Sequence, residues 1–316
     1  MKIGISGIGY WGKKVLNEYI TLMEEGLIEE ITLFDTNQAV LDNFRGKSLL
    51  RVVNSYNELV NTSDAIHICT PNNLHYEQIL VAFNGGKDVL VEKPVTKNSK
   101  SAFSAVERSL DLGLIFQVGN IFRFSNSLIQ VKRIIDSGDL GRINQVAIHW
   151  SHISPSVNSA NENVMWDLMP HILDIMNFLF HEWPVSFVLA DSIADKYRGE
   201  LRKTANLTLK YEAGFQCSVI LSLLDHQIHR DIEISCENGT IFVNPVRQLV
   251  KIYRRGEEDV LSVDINNTIK DEIKNFIKSS QDRKNHHNSA FIGALIVREI
   301  ERITEGTWKG SKDLVQ

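Results

Sequence analysis

The chain has 316 residues, which is enough for two domains with sizeable hydrophobic cores. Hydrophobic residues make up 43% and charged residues 23% of it, the composition of an ordinary globular protein, and the net charge of −5 argues against nucleic acid as a main partner. The three cysteines are widely spaced and form no C-x-x-C pair, which indicates neither a zinc knuckle nor a disulfide framework.

A predicted strand, a glycine-rich turn and a predicted helix open the chain. Gly7, Gly9 and Gly12 form a G-x-G-x-x-G turn directly after residues 2–6, and apolar residues then recur at helical spacing. In a dinucleotide site the first glycine allows the tight turn, the second lets the backbone approach a pyrophosphate, and the third lets the helix pack on the strand. Asp35 ends the next predicted strand, at the place where a carboxylate grips a ribose 2′-hydroxyl. An ordinary glycine-rich turn does not account for Asp35, so we predict a dinucleotide site.

The first 120 residues alternate between strand and helix patterns, which predicts a parallel sheet covered on both faces. The predicted strands are 3–6, 30–34, 65–69, 88–92 and 115–119, and the predicted helices are 11–25, 37–45, 56–61, 74–84 and 100–112. Ligands of such sheets bind beyond the carboxyl ends of the strands. We therefore expect Gly7, Asp35, Thr70-Pro71 and Glu92-Lys93-Pro94 to gather on one rim.

The pattern changes after residue 121. Predicted helices at 126–137 and 167–180 flank a strand at 142–152, and later residues are mostly strands. These strands are 185–194, 202–212, 215–224, 228–235, 240–244, 250–254 and 260–264, with closing helices at 268–280 and 289–305. The fold class is α/β: residues 1–121 form a Rossmann domain with a parallel sheet, and residues 122–316 form an α+β domain with a large, mostly antiparallel open sheet.

Asp167, His171 and Asp174 have the spacing that places them on one helix face. Pro170 is tolerated only in the first turn of a helix, so the helix begins near Asp167. Two interpretations are open: Asp167 caps the helix and His171 is a surface histidine, or the carboxylate orients an imidazole general base. The spacing is not that of a metal site, and we predict no metal.

Other candidate residues each carry two interpretations. Lys93 ends an apolar strand and is either a solvated charge or an ammonium that stabilises an alkoxide near a nicotinamide. Arg123, between two phenylalanines, is either an interdomain salt-bridge residue or a ligand contact. Alternation places Trp150 and His152 on one strand face and His149 on the other, where one face floors a pocket or packs in a core.

Together these motifs resemble the Gfo/Idh/MocA oxidoreductases, a family named for glucose–fructose oxidoreductase and inositol dehydrogenase. The resemblance covers nearly the whole chain and rests on GIGYWG at 7–12, Asp35, CTPNNLHYE at 69–77, EKPVT at 92–96, GNIFRF at 119–124, SGDLGRI at 137–143 and WDLMPHILD at 166–174. It implies an NAD(P)-dependent dehydrogenase that transfers a hydride between the nicotinamide and a hydroxyl-bearing carbon of a sugar, polyol or nucleotide sugar. Met169-Pro170 replaces the small residues of many members and resembles a branch associated with nucleotide-sugar and surface-polysaccharide chemistry.

The resemblance also implies the site residues. Its catalytic set falls on Lys93, Asp167 and His171: His171 takes the hydroxyl proton, Asp167 holds its ring, and Lys93 binds the same oxygen, with the choice of Lys93 or His171 as proton acceptor left open. The cofactor-binding residues are Gly7, Gly9, Tyr10, Trp11, Gly12, Asp35, Thr70, Pro71, Asn73, His75, Glu92 and Lys93. The substrate-binding residues are Lys93, Arg123, Trp150, Asp167 and His171. Thr36 and Asn37 offer no cation for a 2′-phosphate, so NAD is favoured over NADP.

Two alternatives belong to other classes: a reductase of a non-sugar substrate of the biliverdin or dihydrodiol type, and a non-catalytic nucleotide-responsive regulator. A regulator need not keep Lys93, Asp167 and His171 together, so an enzyme is favoured. The second domain is expected to bind the small-molecule substrate and to form homo-dimers or homo-tetramers, because its helices can cover only one sheet face. No run of roughly 18 apolar residues occurs. We expect a cytoplasmic protein with no membrane partner, since a strand at residue 2 leaves no room for a signal peptide.

Overall fold

The computed structural model describes residues 1–153, 163–191 and 203–309, and these form two units. The first unit contains residues 1–121 and 267–298, and the second contains the described residues of 122–266 and 299–316. The sequence predicts 267–298 in the second domain, whereas the structure places this segment in the first unit. The functions assigned to the two domains stay predictions.

The first unit is built on a parallel six-stranded sheet in the order β3-β2-β1-β4-β5-β6. Its strands are β1 (Lys2–Ser6), β2 (Glu30–Phe34), β3 (Leu50–Val52), β4 (Ala65–Ile68), β5 (Asp88–Glu92) and β6 (Phe116–Gly119). The predicted Rossmann sheet is therefore confirmed. The sequence missed β3, because a three-residue edge strand is too short to show an alternating pattern.

Five helices connect these strands: α1 (Tyr10–Glu24), α2 (Gln38–Asp42), α3 (Tyr56–Thr62), α4 (His75–Asn84) and α5 (Ser99–Asp111). Asn37, Ser55 and Asn98 cap α2, α3 and α5 by accepting backbone N–H groups. The N-cap of α1 is Gly9, which has no side chain to do so. The first N–H groups of α1 therefore face outward as donors for an anion.

Segment 267–298 belongs to the first unit because helix α9 (Thr268–Asp282) packs on α1. Ile273, Phe276 and Ile277 are buried in the same core as Leu16 and Tyr19. Burying each such apolar side chain contributes about 1.5–3 kcal/mol to stability, so these contacts hold α9 in the first unit although it comes late in the sequence. Helix α10 (Ala290–Lys309) follows.

The second unit is built on an eight-stranded sheet in the order β14-β13-β12-β11-β7-β10-β9-β8. The strands are β7 (Ile143–Ile153), β8 (Ser186–Asp191), β9 (Thr204–Lys210), β10 (Gln216–Ser222), β11 (Leu224–Cys236), β12 (Gly239–Asn244), β13 (Leu249–Arg254) and β14 (Glu257–Leu261). Among the strands that the structure describes in this sheet, only the β7–β10 pair is parallel, which confirms the mostly antiparallel sheet. Of the predicted strands 185–194 and 202–212, residues 192–194 and 202 lie outside the described residues.

Helices α6 (Asn126–Ser137) and α7 (Val164–Asp167) contact this sheet, and α8 (Met169–Phe180) packs on both of them. Helix α6 ends where Gly138 adopts a left-handed conformation, as the sequence predicts. The single helix predicted from Asp167 is wrong, because the chain breaks at Leu168 into α7 and α8. Asp167 ends α7 and therefore does not cap α8; the capping position belongs to Leu168.

The two faces of this sheet differ in character. The covered face carries two apolar rows, one along β9 and the residue after it and one along β10, all buried: Leu207, Leu209, Tyr211, Cys217, Val219 and Leu221. On the opposite face Ile220 is 48% and Val188 56% exposed, among polar neighbours such as Thr208 and Ser218. Among the described helices, none has the length and apolar character needed to cross a membrane.

Candidate active site

The glycine turn of the first unit leaves room for a phosphate only at its centre. Gly7 has φ +90°, and a Cβ there would lie 2.8 Å from the backbone of Thr70. A Cβ on Gly12 would lie 1.9 Å from the Gly7 carbonyl oxygen, so the helix packs against the turn as closely as glycine permits. A Cβ on Gly9 would meet nothing within 4 Å. The open space at Gly9, next to the free N–H groups of α1, fits a pyrophosphate.

Asp35 lies at the end of β2 and ties this turn to the sheet. Its Oδ2 accepts a hydrogen bond from Ile8 N at 2.7 Å, and its Oδ1 accepts one from Asn37 N at 2.8 Å. Each carboxylate oxygen keeps lone-pair capacity for another donor. Asp35 can therefore accept from a ribose hydroxyl while it holds the glycine turn in shape.

The remaining predicted cofactor residues lie near the same edge of the sheet. Thr70, Pro71 and Asn73 follow β4, and Glu92 and Lys93 end β5. The Lys93–Pro94 peptide is cis, an isomer that the sequence could not prove. Tyr10 and Trp11 begin α1, where the Lys14 ammonium lies 4.5 Å from the Tyr10 ring centroid and 5.5 Å from that of Trp11. The topology thus gathers residues that are scattered in sequence.

Among the predicted cofactor residues, His75 is a buried side chain whose ring contacts two loops. Its ring nitrogens face the carbonyl oxygens of Thr70, at 2.8 Å, and Pro94, at 3.0 Å. Burial lowers the pKa of His75, although the two carbonyls oppose this, so the neutral ring donates to one of them. The imidazole therefore links the loop after β4 to the loop after β5, and its contacts are with the protein itself.

Within the described residues, His67, Cys69 and Glu92 form one group of metal-type donors, with ligand atoms within 4.8 Å of one another. His67 Nε2 lies 3.3 Å from Glu92 Oε1, so a hydrogen bond within the protein accounts for this pair. Burial, with the nearby carboxylates of Glu92 and Glu272, raises the pKa of the Cys69 thiol. Because thiolate is the form that binds metals, this neutral thiol is a poor ligand. The absence of a metal stays a prediction.

In the second unit, the break between α7 and α8 places Asp167 and His171 on either side of Leu168. Both side chains are half-buried, and the Leu168 carbonyl accepts the His171 N–H at 3.1 Å. The His171 ring stands edge-on to the Phe122 ring at 5.2 Å and lies 6.1 Å from the Trp150 ring. An imidazole on such a rigid aromatic support can move a proton at a fixed position.

Trp150 supports this group from beneath. It is fully buried, and Phe122 packs edge-on against it at 5.1 Å. Its assignment as a substrate-binding residue stays a prediction, which the burial of the whole side chain does not support. Alternation along β7 does place His152 on the same face as Trp150, and His149 on the other face, where it stacks on His229.

Arg123 forms its hydrogen bonds to helix α8. Its Nε donates to Asp174 Oδ1 at 2.6 Å and its Nη2 to Asn177 Oδ1 at 2.9 Å, all within the second unit. The side chain of Arg123 is 10% exposed and that of Asp174 is 3% exposed. Arg123 thus holds helix α8 through an ion pair within the second unit rather than between the domains, and its role as a substrate contact stays a prediction.

Sequence reasoning missed Arg230, which joins this face of the sheet from β11. Strand pairing sets Arg230 opposite Trp150, and its guanidinium lies over the Trp150 ring at 5.0 Å. Its Nη2 lies 3.2 Å from His152 Nδ1. Because arginine only donates, His152 Nδ1 accepts and the ring proton sits on Nε2, which lies 4.0 Å from Asp167 Oδ2. Arg230, His152 and Asp167 therefore form one polar row.

The comparisons with known proteins bear on the family and the fold. A family model described as "Oxidoreductase family, NAD-binding Rossmann fold" matches residues 1–120, and the "GFO/IDH/MocA C-terminal domain" model matches residues 128–242. The chain belongs to the Gfo/Idh/MocA family of oxidoreductases, whose first domain binds a nicotinamide cofactor. The expected family and fold class are thereby confirmed.

Named relatives match parts of the chain. An inositol 2-dehydrogenase of Rhodococcus erythropolis is 37% identical over 38% of this chain and 35% of its own length. A scyllo-inositol 2-dehydrogenase (NADP(+)) of Bacillus subtilis is 26% identical over 67% of this chain and 60% of its own length. The matched stretches thus span about one third to three fifths of these two relatives.

Solved structures match over almost the whole chain. The UDP-N-acetylglucosamine 3-dehydrogenase of Acidithiobacillus ferrooxidans superposes with a TM-score of 0.80 over 96% of both chains at 20% identity. At that identity the likeness shows the fold alone.

Proposed function

We propose that the protein is an NAD-dependent dehydrogenase that acts on a CH–OH group of a sugar, polyol or nucleotide sugar. The observation that carries the proposal is the combination, in one chain of this family, of the glycine turn with Asp35 in the first unit and His171 beside Asp167 in the second. A regulator would need the first of these groups and has no use for the second.

The residues of the chain divide the proton chemistry among them. The glycine turn and Asp35 would hold the cofactor, which when bound would supply the acceptor for the hydride that leaves the hydroxyl-bearing carbon. His171 accepts the hydroxyl proton, and the Asp167 carboxylate stabilises the imidazolium that results. The resemblance to the family adds Lys93, whose ammonium donates to the same oxygen and stabilises its growing negative charge. The aromatic support of Phe122 and Trp150 holds the His171 ring during the transfer.

We propose NAD over NADP on the basis of Asp35. Its carboxylate is fixed by two backbone N–H groups, so it cannot swing away from a 2′-phosphate without breaking the turn. Thr36 and Asn37 supply no compensating cation. The relative from Bacillus subtilis is named as NADP-dependent, so the cofactor must be decided on this chain's own residues.

The substrate class is supported by the relatives named for inositol and the fold neighbour named for UDP-N-acetylglucosamine. The test is a panel of inositols, free sugars and UDP-sugars with NAD and with NADP, followed by the absorbance of the reduced cofactor. Turnover of at least one hydroxyl substrate that His171→Ala abolishes is the expected result. Tight NADH binding with no turnover across the panel would support the regulator instead, and turnover restricted to a non-sugar carbonyl would support the other reductase class.

We further propose that the protein is a cytoplasmic homo-oligomer that pairs through the open face of the second sheet. Exposed apolar side chains such as Val188 and Ile220 on this face support the pairing. The three cysteines are free thiols, which suits a reducing compartment.

A further inference from the structure

Arg230 occupies a position that the proposed chemistry does not require. It faces the same side of the sheet as Trp150, because the two residues are directly paired across β11 and β7. That side also carries His152, and Asp167 lies 4.0 Å beyond it. The guanidinium therefore belongs to the face on which His171 and Asp167 lie, although neither the hydride nor the proton transfer uses it.

The Arg230 head group is held in one orientation. Its Nη1 donates to the carbonyl oxygens of Ser151 and His229, both at 2.6 Å, and its Nη2 donates to His152 Nδ1 at 3.2 Å. The Trp150 ring supports its flat face at 5.0 Å. Within the part of the chain that the structure describes, these bonds engage three of the five guanidinium N–H groups. The N–H of Nε and one N–H of Nη2 remain as a pair of parallel donors.

The charge of Arg230 is costly where it lies. Burial lowers the pKa of Arg230 to about 10, and the Asp167 carboxylate only partly opposes this. A second buried arginine of this unit, Arg123, is neutralised by Asp174 at 2.6 Å. Proteins retain a charge in such surroundings where a partner compensates it. Asp167 has its own role beside His171, so a second anion is needed when that carboxylate serves the imidazolium.

We infer that Arg230 binds a carboxylate carried by the substrate, and that the proposed sugar substrate is a sugar acid. This inference rests on the proposed dehydrogenase function and names its substrate class. A planar carboxylate matches the two parallel N–H donors of a guanidinium. A phosphate dianion fits poorly, because one cation beside the Asp167 carboxylate cannot neutralise two negative charges. A neutral hydroxyl would leave the Arg230 charge without its partner.

The test compares acids with their neutral counterparts on the NADH-saturated protein by calorimetric titration. The pairs are D-glucuronate with D-glucose and UDP-glucuronate with UDP-glucose, which differ only at the carboxylate. In at least one pair we expect the acid to bind about 10- to 100-fold more tightly, the range of a charge-assisted hydrogen-bonded contact. Arg230→Met should remove this preference, and Arg230→Lys, which keeps the charge and loses the fork, should retain only part of it. The control is Arg254→Met, an exposed arginine on β13 of the same sheet.

The outcomes separate this inference from the proposed function. Equal binding of acid and neutral sugar by the wild type in both pairs overturns the inference without any variant, as does a full preference in folded Arg230→Met. Turnover of neutral sugars with no preference for acids supports the dehydrogenase and overturns the sugar acid alone. The third outcome is tighter binding of the acid that is lost in Arg230→Met, together with no turnover of any sugar. That result would support the carboxylate site and contradict the proposed dehydrogenase function.

Discussion

Arg123 donates from Nε to Oδ1 of Asp174 at 2.6 Å, and the two side chains form a nearly buried ion pair between the start of the second unit and helix α8. The Arg123 Nη2 donates to Asn177 one turn further along the helix. These two bonds set the position of α8, and α8 carries His171 near its start. The pair therefore fixes the backbone from which the proposed base projects.

Removing the cation should be strongly destabilising. Arg123→Met leaves the Asp174 carboxylate buried and unpaired, for which we expect a loss of about 3–5 kcal/mol in the free energy of unfolding. Chemical denaturation measures it, and Arg254→Met, an exposed arginine, should change stability by less than about 0.5 kcal/mol. A loss for Arg123→Met as small as that of the control would contradict the role of the pair.

The same variant should have a characteristic pH dependence. Burial raises the pKa of Asp174, and the Arg123 charge opposes that rise, so removing Arg123 raises the folded-state pKa further above its ordinary 3.8. A carboxyl group whose pKa is raised in the folded state lowers the stability of that state. This loss grows as the pH rises from the unfolded-state pKa to the folded-state pKa, and it vanishes below the unfolded-state pKa. The loss caused by Arg123→Met should therefore shrink as the pH is lowered toward 3.8. A loss independent of pH would mean that Asp174 is not the group left unpaired.

Gly9 and Gly12 provide a matched pair of alanine substitutions. A Cβ on Gly9 meets nothing within 4 Å, so Gly9→Ala should melt like the wild type and lose NADH binding, because the methyl group occupies the space proposed for the pyrophosphate. A Cβ on Gly12 lies 1.9 Å from the Gly7 carbonyl oxygen, so Gly12→Ala must displace the turn and should lower the melting temperature. Thermal melts and NADH titrations of both variants provide the measurements. Unchanged NADH affinity in Gly9→Ala would place the pyrophosphate elsewhere.

The first sheet was predictable because its signals are local. Each strand is a short apolar run followed by turn residues, and the glycine turn places its own helix. The sequence nevertheless predicts α9 in the second domain, whereas the structure places it in the first unit. Its apolar stripe of Ile273, Phe276 and Ile277 shows that it packs on something, and only the fold shows that its partner is α1.

The second half of the site depends on contacts that the sequence does not specify. Arg230 reaches Trp150 through strand register, and β11 shifts register between Leu224 and His229, so counting along the strands cannot pair them. Arg123 finds Asp174 across 51 positions of sequence. One signal for Arg230 did exist in the sequence. Residues two apart on a strand share a face, so Arg230 lies on the same face as Ile232, which is buried on the covered side of the sheet.

Cofactor preference should follow residue 35. We expect the wild type to bind NADH at least about tenfold more tightly than NADPH, since the fixed carboxylate repels a 2′-phosphate. Asp35→Ser with Asn37→Arg should move the preference toward NADPH. Because Asp35 also holds Ile8 N, the double variant should bind both cofactors more weakly than the wild type binds NADH. Asp42→Asn, an exposed carboxylate on α2, is the control, and tighter NADPH binding by the wild type would overturn the assignment.

The catalytic residues should separate by the size of their effects. Lys93→Ala and His171→Ala should keep NADH binding and lose about 10²–10⁴-fold in turnover, the usual contribution of acid–base groups. His152→Gln should lose less, because His152 acts through Asp167. His226→Ala, an exposed histidine on β11, should keep full activity. The melting curve of each variant is measured as well. If folded Lys93→Ala or His171→Ala kept wild-type turnover, that residue would not be catalytic.

The open face of the second sheet should hold the subunits together. Ile220 of β10 is 48% exposed, on the face opposite to the helices. One chain has a mass of 35.9 kDa. We expect light scattering at micromolar concentration to give a multiple of the chain mass. Ile220→Asp should shift the protein toward the monomer, because a carboxylate in a paired sheet face would be desolvated without a partner. Leu110→Asp changes a residue that is 71% exposed on α5 of the first unit, and it should leave the mass unchanged. A wild-type mass of 35.9 kDa would overturn the assembly, and equal effects of the two substitutions would move the interface away from this face.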